Sequence, residues 1–214
     1  VWAQSRLEGG PLATIKEKPY ALLEELGSYM GRIDKGLENF EHPELERSQK
    51  WNLLEGLWIC EHLVVIKDLK RRSLIKSICD RFFNLLPKMH ALPFQALHND
   101  FNDYNTLAKA HEEGHFSISG LIDFGDMTTG PAIIDLSIGG AYYLLDTIRP
   151  MASFAALIKG YHSARPLCEE EISLVYPAAL MRLAVSVVNS TLEVAKNPED
   201  PYITVTQAPA WRFL

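Results

Sequence analysis

Apolar residues recur at steps of three and four over much of the chain, a spacing that predicts a mainly helical protein. In residues 19–40 the steps run from Leu22 through Leu26 to Phe40, with charged residues such as Glu24 between them. Further helices are predicted over residues 52–66, 67–90, 132–145, 153–163 and 169–196. After residue 197 the tail is expected to be extended and to end in an aromatic patch.

The pattern changes at the centre of the chain. Residues 94–97 form a short apolar run, and residues 98–105 are polar and rich in Asn and Asp. Residues 106–110 and 116–124 resemble two strands joined by a Glu-Glu-Gly turn. The predicted fold class is therefore mainly α with a small β insertion, and a β hairpin is expected near residues 94–124.

Composition and charge exclude several classes of protein. The chain has 214 residues, 47% of them apolar and 22% charged, which is typical of a globular protein. A net charge of −6 argues against a nucleic-acid partner or an anionic membrane surface. The most apolar stretch, 176–194, contains Arg182, Asn189 and Glu193, which favours a buried core helix over a membrane span. Three widely spaced cysteines without a CxxC pair predict free thiols in a reducing, cytoplasmic location.

The polar chemistry of the chain is concentrated in and beside the β insertion. Two segments carry it, His98-Asn99-Asp100-Phe101-Asn102-Asp103-Tyr104-Asn105 and Ile122-Asp123-Phe124-Gly125-Asp126. A hairpin that brings Asp123 beside Asn105 would form a carboxylate-plus-amide site suited to Mg²⁺, with phosphate oxygens and water as the other ligands. Asp100 would then be a separate carboxylate that can accept a proton from an attacking hydroxyl. This division of roles is the one that phosphoryl transfer needs.

These two segments resemble the catalytic and metal-binding motifs of the aminoglycoside phosphotransferase and choline kinase family, small-molecule relatives of protein kinases. The triplet 98–100 has Asn where Gly is commoner, as in choline and ethanolamine kinases, whereas 102–105 with 120–127 is closer to hydroxylysine-kinase-like proteins. The resemblance extends to Trp51-Asn52-Leu53, Ile134-Asp135-Leu136-Ser137, Pro201-Tyr202-Ile203 and Pro209-Ala210-Trp211. It therefore covers nearly the whole chain.

The resemblance implies the C-terminal lobe of a protein-kinase-like fold that transfers the γ-phosphate of ATP, with Mg²⁺, to a hydroxyl of an amine-bearing small molecule. The acceptor would be an amino alcohol or a hydroxy amino acid, such as hydroxylysine, ethanolamine or choline, or an aminoglycoside. By the same resemblance Asp100 is the catalytic base, Asn105 and Asp123 hold magnesium, and His98 and Asp135 support the catalytic loop.

Four more residues are candidates for binding the acceptor: Asp103, Asp126, Tyr142 and Asp146. An aromatic ring and a carboxylate near the acceptor would suit an ammonium group through cation–π contact and ion pairing. For Tyr142 the alternative is core packing, and for Asp146 it is an ordinary carboxylate at a helix end.

The beginning of the chain lacks the phosphate clamp of such kinases. No glycine-rich loop, strand lysine and helix glutamate precede the motifs. Residues 1–12 instead resemble the hinge between two lobes, so the expected organisation is a hinge at 1–12 and a helical catalytic lobe at 13–214. The nucleotide-binding lobe is expected to be absent from this chain, which would be a piece of a longer protein with an N-terminal lobe or further domains.

Two other functions compete with a kinase. A truncated or degenerate lobe would bind a small ligand or a partner chain without catalysing a reaction. A zinc hydrolase is suggested by His111-Glu112-Glu113-Gly114-His115, which matches the H-E-x-x-H pattern. That chemistry needs both histidines on one face of a helix, whereas Gly114 and the flanking strands favour a hairpin turn.

Overall fold

The predicted apolar faces become buried faces of helices in a computed structural model of the chain, which describes residues 5–197, 199, 205 and 207–214. Within those residues the helices are α1 (Tyr20–Leu37), α2 (Leu69–His90), α3 (Ile133–Tyr143), α4 (Pro150–Ala164), α5 (Glu169–Lys196) and α6 (Gln207–Phe213). The first five match predicted helices, with ends that differ by no more than one turn.

Helix α5 is the central helix of the core. It begins at Glu169 as predicted, because the Glu171 carboxylate accepts the N–H of Cys168 at 2.9 Å and closes the first turn. By length and composition α5 could cross a membrane, but 78% of its most apolar window is buried inside the molecule. Its apolarity is therefore that of a core helix, as the sequence predicts.

The segment between α1 and α2 differs from the prediction, because Leu53–Val65 form successive 3-10 turns rather than an α-helix. Gly56 and β-branched residues such as Ile59 and Val64 lower the helix propensity of this stretch. A side chain at Gly56 would come within 3.2 Å of Val185, so the segment lies close against α5. Packing against α5, rather than the spacing of its own apolar residues, therefore determines the conformation of this segment.

The end of the chain also differs from the extended tail that the sequence predicts, because Gln207–Phe213 are helical. A helix as short as α6 is not stable alone. The Arg71 guanidinium lies 4.8 Å from the ring centre of Trp211, and Arg212 forms an ion pair with Asp146 at 2.7 Å. Tertiary contacts therefore hold this segment helical.

Five short strands form two small sheets in the described part of the chain. They are β1 (Gly10–Pro11), β2 (Phe94–Leu97), β3 (Thr106–Ala110), β4 (Phe116–Leu121) and β5 (Thr128–Pro131). All pairings are antiparallel: β3 lies between β1 and β4, and β2 pairs with β5. The hairpin predicted near 94–124 is thus β3–β4 alone, and β4 ends at Leu121 because Asp123 has a left-handed φ of 63°.

The predicted hinge is described only in part. Residues 1–4, and the motif at 201–203, lie outside the described residues. Gly10 and Pro11 pair with Ala108 and Leu107 as β1, and the Ser119 hydroxyl donates to the carbonyl of Glu8 at 2.7 Å. The described start of the chain therefore runs along the β3–β4 hairpin.

The two motifs of the sequence are the two connections between the sheets. We call residues 98–105, which join β2 to β3, the Asp100 loop, and residues 122–127, which join β4 to β5, the Asp123 segment. Leu97 pairs with Thr128 and Thr106 pairs with Leu121, so both connections begin and end at paired residues. The sheets thereby bring the two motifs side by side.

Helix α1 packs unusually close to α4. A Cβ atom at Gly160 would lie 1.9 Å from the carbonyl oxygen of Glu24, and one at Gly27 would lie 2.0 Å from that of Leu157. Only glycine permits this approach of the two backbones. The contact fixes α1, which carries a buried acid.

That acid, Asp34, forms a buried pair with Asp135 at the start of α3, and both residues are 0% exposed. One oxygen of Asp34 accepts the Tyr161 hydroxyl. The other oxygen has no hydrogen-bond partner among the described residues. Burial, then the charge of Asp135, raises the pKa of Asp34 well above its ordinary value. Burial beside a second carboxyl group therefore favours the protonated form of Asp34.

We expect Asp34→Asn to lose less stability than Asp34→Ala. The Asn side chain can still accept from Tyr161, whereas Ala leaves this buried hydroxyl unpaired, at about 1–3 kcal/mol. Unfolding in denaturant measures the difference. Equal losses in the two variants would contradict the hydrogen bond described for Asp34.

The stability of the wild-type protein relative to Asp34→Asn is expected to fall as the pH rises. A group whose pKa is raised by folding contributes stability that is fully present below its unfolded pKa, here near 3.8. That contribution is lost as the pH rises through the raised folded pKa. Unfolding free energies of both proteins from about pH 4 to about pH 8 test this, and a constant difference would show that Asp34 is ionised in the folded state.

Candidate active site

The carboxylate of Asp100 is held by three donors. Its Oδ2 accepts the side-chain amides of Asn102 at 2.8 Å and Asn105 at 2.7 Å, and its Oδ1 accepts Nη2 of Arg182 at 3.0 Å. Because all three partners are donors, they hold the carboxylate in one orientation with its oxygens as acceptors. A carboxylate held in this way can accept a proton. Asp100 is therefore suited to act as a base.

Asn105 lies next to the residue that precedes Asp123. The N–H of Ile122 donates to the carbonyl of Asn105 at 3.0 Å, which joins the Asp100 loop to the Asp123 segment. Because Asp100 can only accept, the amide nitrogen of Asn105 faces it, and the amide oxygen is left for another partner.

The side-chain oxygens of Asn105 and Asp123 are of the kind that a hard divalent cation prefers. Asp123 has a φ of 63°, and its side chain accepts the N–H of Gly125 at 3.3 Å. The described residues contain no cluster of three or more His, Cys, Asp or Glu side chains arranged for a metal. A cation here would therefore take only part of its ligands from the protein and the rest from phosphate and water.

His98 connects the two motifs and is fully buried. Its Nδ1 accepts the N–H of Asp100 at 3.2 Å, and its Nε2 donates to the carbonyl of Ile122 at 3.1 Å. With one nitrogen accepting and the other donating, the ring is neutral. The ring also meets Phe124 edge-on at 4.7 Å, so His98 is a packing and positioning residue within the described contacts.

Asp135 holds the beginning of the Asp100 loop. It accepts the backbone N–H of His98 at 2.8 Å and of Asn99 at 2.7 Å, the contacts that the family resemblance implies. Asn99 itself has a φ of 64°, a conformation that Asn and Gly adopt most readily. The backbone thus explains why Asn occurs at a position where related motifs commonly have Gly.

A cavity of about 310 Å³ opens beside Asp100. Three predicted candidates line it together with Asp100, namely Asp103, Asp126 and Tyr142. Burial, with a smaller effect from the charge of Asp100, raises the pKa of Asp126. Acidic side chains therefore dominate the charge of this cavity, which favours a cationic ligand.

Arg182 is the main site residue that the sequence reasoning missed. Its side chain is 2% exposed, and it donates to Tyr142 at 3.1 Å, to the carbonyl of Trp51 at 3.0 Å and to Asp100. The guanidinium also lies 4.7 Å from the ring centre of Trp51, which lines the same cavity. Arg182 is therefore the buried cation that balances part of the acidic charge.

A polar row on α5 forms one wall of the cavity. It consists of Arg182, Ser186, Asn189 and Glu193, all of which line the cavity. The spacing of four, three and four places them on one face of the helix. Polar residues at helical spacing within the apolar stretch 176–194 were the sequence signal that would have revealed this wall.

One of the four predicted acceptor-binding residues, Asp146, lies elsewhere. Asp146 does not line the 310 Å³ cavity but a neighbouring cleft, and it is paired with Arg212 at 2.7 Å. Its φ of 63° places it in a loop after α3 rather than on the helix. The ion pair with Arg212 of α6 explains why an acid occurs at this position.

The H-E-x-x-H segment is a hairpin turn. Residues Glu112–Gly114 form a single 3-10 turn between β3 and β4, and His111 bonds to the Ser117 hydroxyl at 2.6 Å. No metal cluster includes these histidines in the described part of the chain. The zinc-hydrolase alternative is therefore not supported by this geometry.

A second cavity, of about 1100 Å³, opens at Asp123. Its apolar lining includes Leu7, Leu107, Leu121 and Phe124. Asp100 and Asp123 thus face different cavities, although the hydrogen bond between Asn105 and Ile122 joins their segments.

Comparison with known proteins shows the family of this chain. The model of the phosphotransferase enzyme family matches residues 2–170. Hydroxylysine kinases are similar over 97% of the chain: that of Xenopus laevis is 29% identical over 220 residues and that of Mus musculus 25% identical over 218 residues. The chain spans 59% and 58% of the lengths of these two relatives.

Solved kinase structures share the fold. An amicoumacin kinase in complex with AMP-PNP, Ca²⁺ and Ami superposes with a TM-score of 0.62 at 17% identity, over 94% of this chain and 60% of that one. A choline kinase, LicA from Streptococcus pneumoniae, gives 0.57 at 10% identity, over 96% and 66%. These likenesses confirm the predicted fold class, mainly α with a small β insertion and protein-kinase-like. The chain belongs to the phosphotransferase enzyme family, as its two central motifs predicted.

Proposed function

We propose that the protein is a kinase that transfers the γ-phosphoryl group of ATP to a hydroxyl of an amine-bearing small molecule. The observation that carries the proposal is the position of Asp100. Its carboxylate is fixed by Arg182, Asn102 and Asn105 and opens onto the 310 Å³ cavity. Its loop is joined to the Asp123 segment by the hydrogen bond between Ile122 and Asn105.

In the proposed reaction Asp100 accepts the hydrogen bond of the acceptor hydroxyl and takes its proton as the hydroxyl oxygen attacks phosphorus. A bond forms between that oxygen and the γ-phosphorus, and the bond to the leaving ADP oxygen breaks. Asn105 and Asp123 would hold Mg²⁺, which neutralises charge on the transferred phosphate. The cavity at Asp123, with its apolar lining, is the proposed site of the nucleotide.

The acceptor that we propose is a cationic hydroxyl compound, with hydroxylysine as the first candidate. Two observations support it. The cavity beside Asp100 has more acidic than basic side chains, and the similar proteins from Xenopus laevis and Mus musculus are hydroxylysine kinases. The free thiols Cys60, Cys79 and Cys168 fit the cytoplasmic location that we propose for the enzyme.

Phosphoryl transfer by the full-length protein tests the proposal. The protein is incubated with Mg-ATP and hydroxylysine, ethanolamine, choline or an aminoglycoside, and ADP release and phosphorus NMR of the product are recorded. We expect turnover with at least one of these acceptors. Binding of an acceptor without any turnover would instead support the alternative of a non-catalytic binding lobe.

We expect Asp100→Asn to lower kcat by about 10²–10⁴-fold, because the amide cannot accept the hydroxyl proton. The affinity for nucleotide is expected to change little, since Asp100 does not line the cavity at Asp123. Asp80→Asn is the matched control, because Asp80 is an exposed carboxylate on α2. An unchanged kcat in Asp100→Asn would overturn the proposed role of Asp100.

We expect Arg182→Lys to lower kcat by about tenfold or more, although the positive charge is kept. A lysine cannot reach Tyr142, Trp51 and Asp100 together, so the Asp100 carboxylate loses its fixed orientation. Steady-state kinetics measure kcat, and thermal unfolding separates this effect from a loss of folded protein. Arg81→Lys, an exposed residue of α2, is the control.

A further inference from the structure

A larger cleft, of about 1140 Å³, adjoins the cavity beside Asp100. The two spaces are continuous in their lining, because Asp103, Tyr104 and Val205 contribute to both. The other walls of the cleft come from the segment before α1 and from the loop between α3 and α4. The proposed transfer step does not require this cleft.

Two opposite charges face the cleft without a direct partner. Both Lys18 and Asp103 are half-buried, yet neither forms a salt bridge or a side-chain hydrogen bond with another of the described residues. Burial lowers the pKa of Lys18 and raises that of Asp103, and each charge opposes the effect on the other. The two groups line the same cleft, but no salt bridge joins them.

The backbone holds these two groups in a fixed relation. The N–H of Ala13 donates to the carbonyl of Asp103 at 2.9 Å, which attaches the segment before α1 to the Asp100 loop. The other charged residues of the lining are exposed to solvent, namely Lys16, Glu17, Asp146 and Arg149, and Asp146 also has Arg212 as its partner. Lys18 and Asp103 are therefore the partly buried charges of the cleft that a ligand can complete.

We propose that this cleft binds the zwitterionic head of an amino-acid acceptor, with Lys18 binding the carboxylate and Asp103 binding the α-ammonium group. Partly desolvated charges without partners are unfavourable, and a zwitterion supplies an opposite charge to each of them. Asp103 follows Asp100 by three residues in one loop, so a head group at Asp103 directs the acceptor chain toward Asp100. The inference rests on the proposed kinase function and narrows its acceptor to amino acids.

A pair of probes that differ only in the carboxylate tests the proposal without turnover. L-lysine and cadaverine are titrated into the full-length protein by calorimetry. The acidic cavity alone would favour cadaverine, which carries the larger positive charge. We expect L-lysine to bind at least about tenfold more tightly, because of the ion pair with Lys18. An absence of this preference overturns the proposal.

Variants assign the preference to Lys18. Lys18→Gln is expected to abolish the preference for L-lysine, so that the ratio of the two affinities falls to one or below and cadaverine binding is not weakened, whereas Lys18→Arg retains the preference. Lys35→Gln is the matched control, because Lys35 is exposed near the other end of α1. A preference that survives in Lys18→Gln contradicts the proposed carboxylate site.

Turnover distinguishes this inference from the proposed function. With hydroxylysine as acceptor, Lys18→Gln is expected to raise KM about tenfold and to change kcat little. A kinase that phosphorylates hydroxylysine with a KM independent of Lys18 would retain the proposed function and refute the head-group site. A protein that prefers L-lysine through Lys18 but phosphorylates no acceptor would retain the head-group site and refute the proposed function.

Discussion

The two hydrogen bonds that Asp135 accepts are the constraint on which the rest of the site depends. They fix the backbone of His98 and Asn99, the residues directly before Asp100, at 2.8 and 2.7 Å. Asp135 is itself fully buried in the first turn of α3, so the loop takes its position from the core rather than from the surface. The raised pKa of Asp34 favours its neutral form, in which the repulsion between two buried carboxylates is absent.

Arg182 connects the same loop to α5. Because Arg182 is buried, the residues that hold Asp100 are also part of the packed core. A buried guanidinium is costly unless its donors are paired, and here they reach Tyr142, Trp51 and Asp100. Those partners come from three different parts of the chain. The cavity beside Asp100 therefore forms only when α3, α5 and the segment after residue 50 are packed together.

The sequence predicted the parts of the molecule whose signal is local. The Asp100 loop and the Asp123 segment could be located from residue types at short spacing, and the long helices from their apolar periodicity. Asp34 and Lys18 could not be assigned in this way, because each lies far in the sequence from the group that it faces. Likewise, Leu53–Val65 and α6 take conformations that their neighbours impose rather than those that their own sequence favours.

The distribution of charge across the cavity beside Asp100 and the adjoining cleft has a consequence for how an acceptor would be oriented. Acidic groups surround the cavity at Asp100, whereas Lys18 supplies a positive charge in the cleft beyond Asp103. A field of this kind orients a ligand as well as attracting it, because a carboxylate is repelled from the cavity and drawn to Lys18. An acceptor with a carboxylate at one end and a hydroxyl and an amine at the other would thus be presented with its hydroxyl toward Asp100. The same charges would therefore select the acceptor and determine which of its ends lies at Asp100, and their contribution is made in binding rather than in the transfer step.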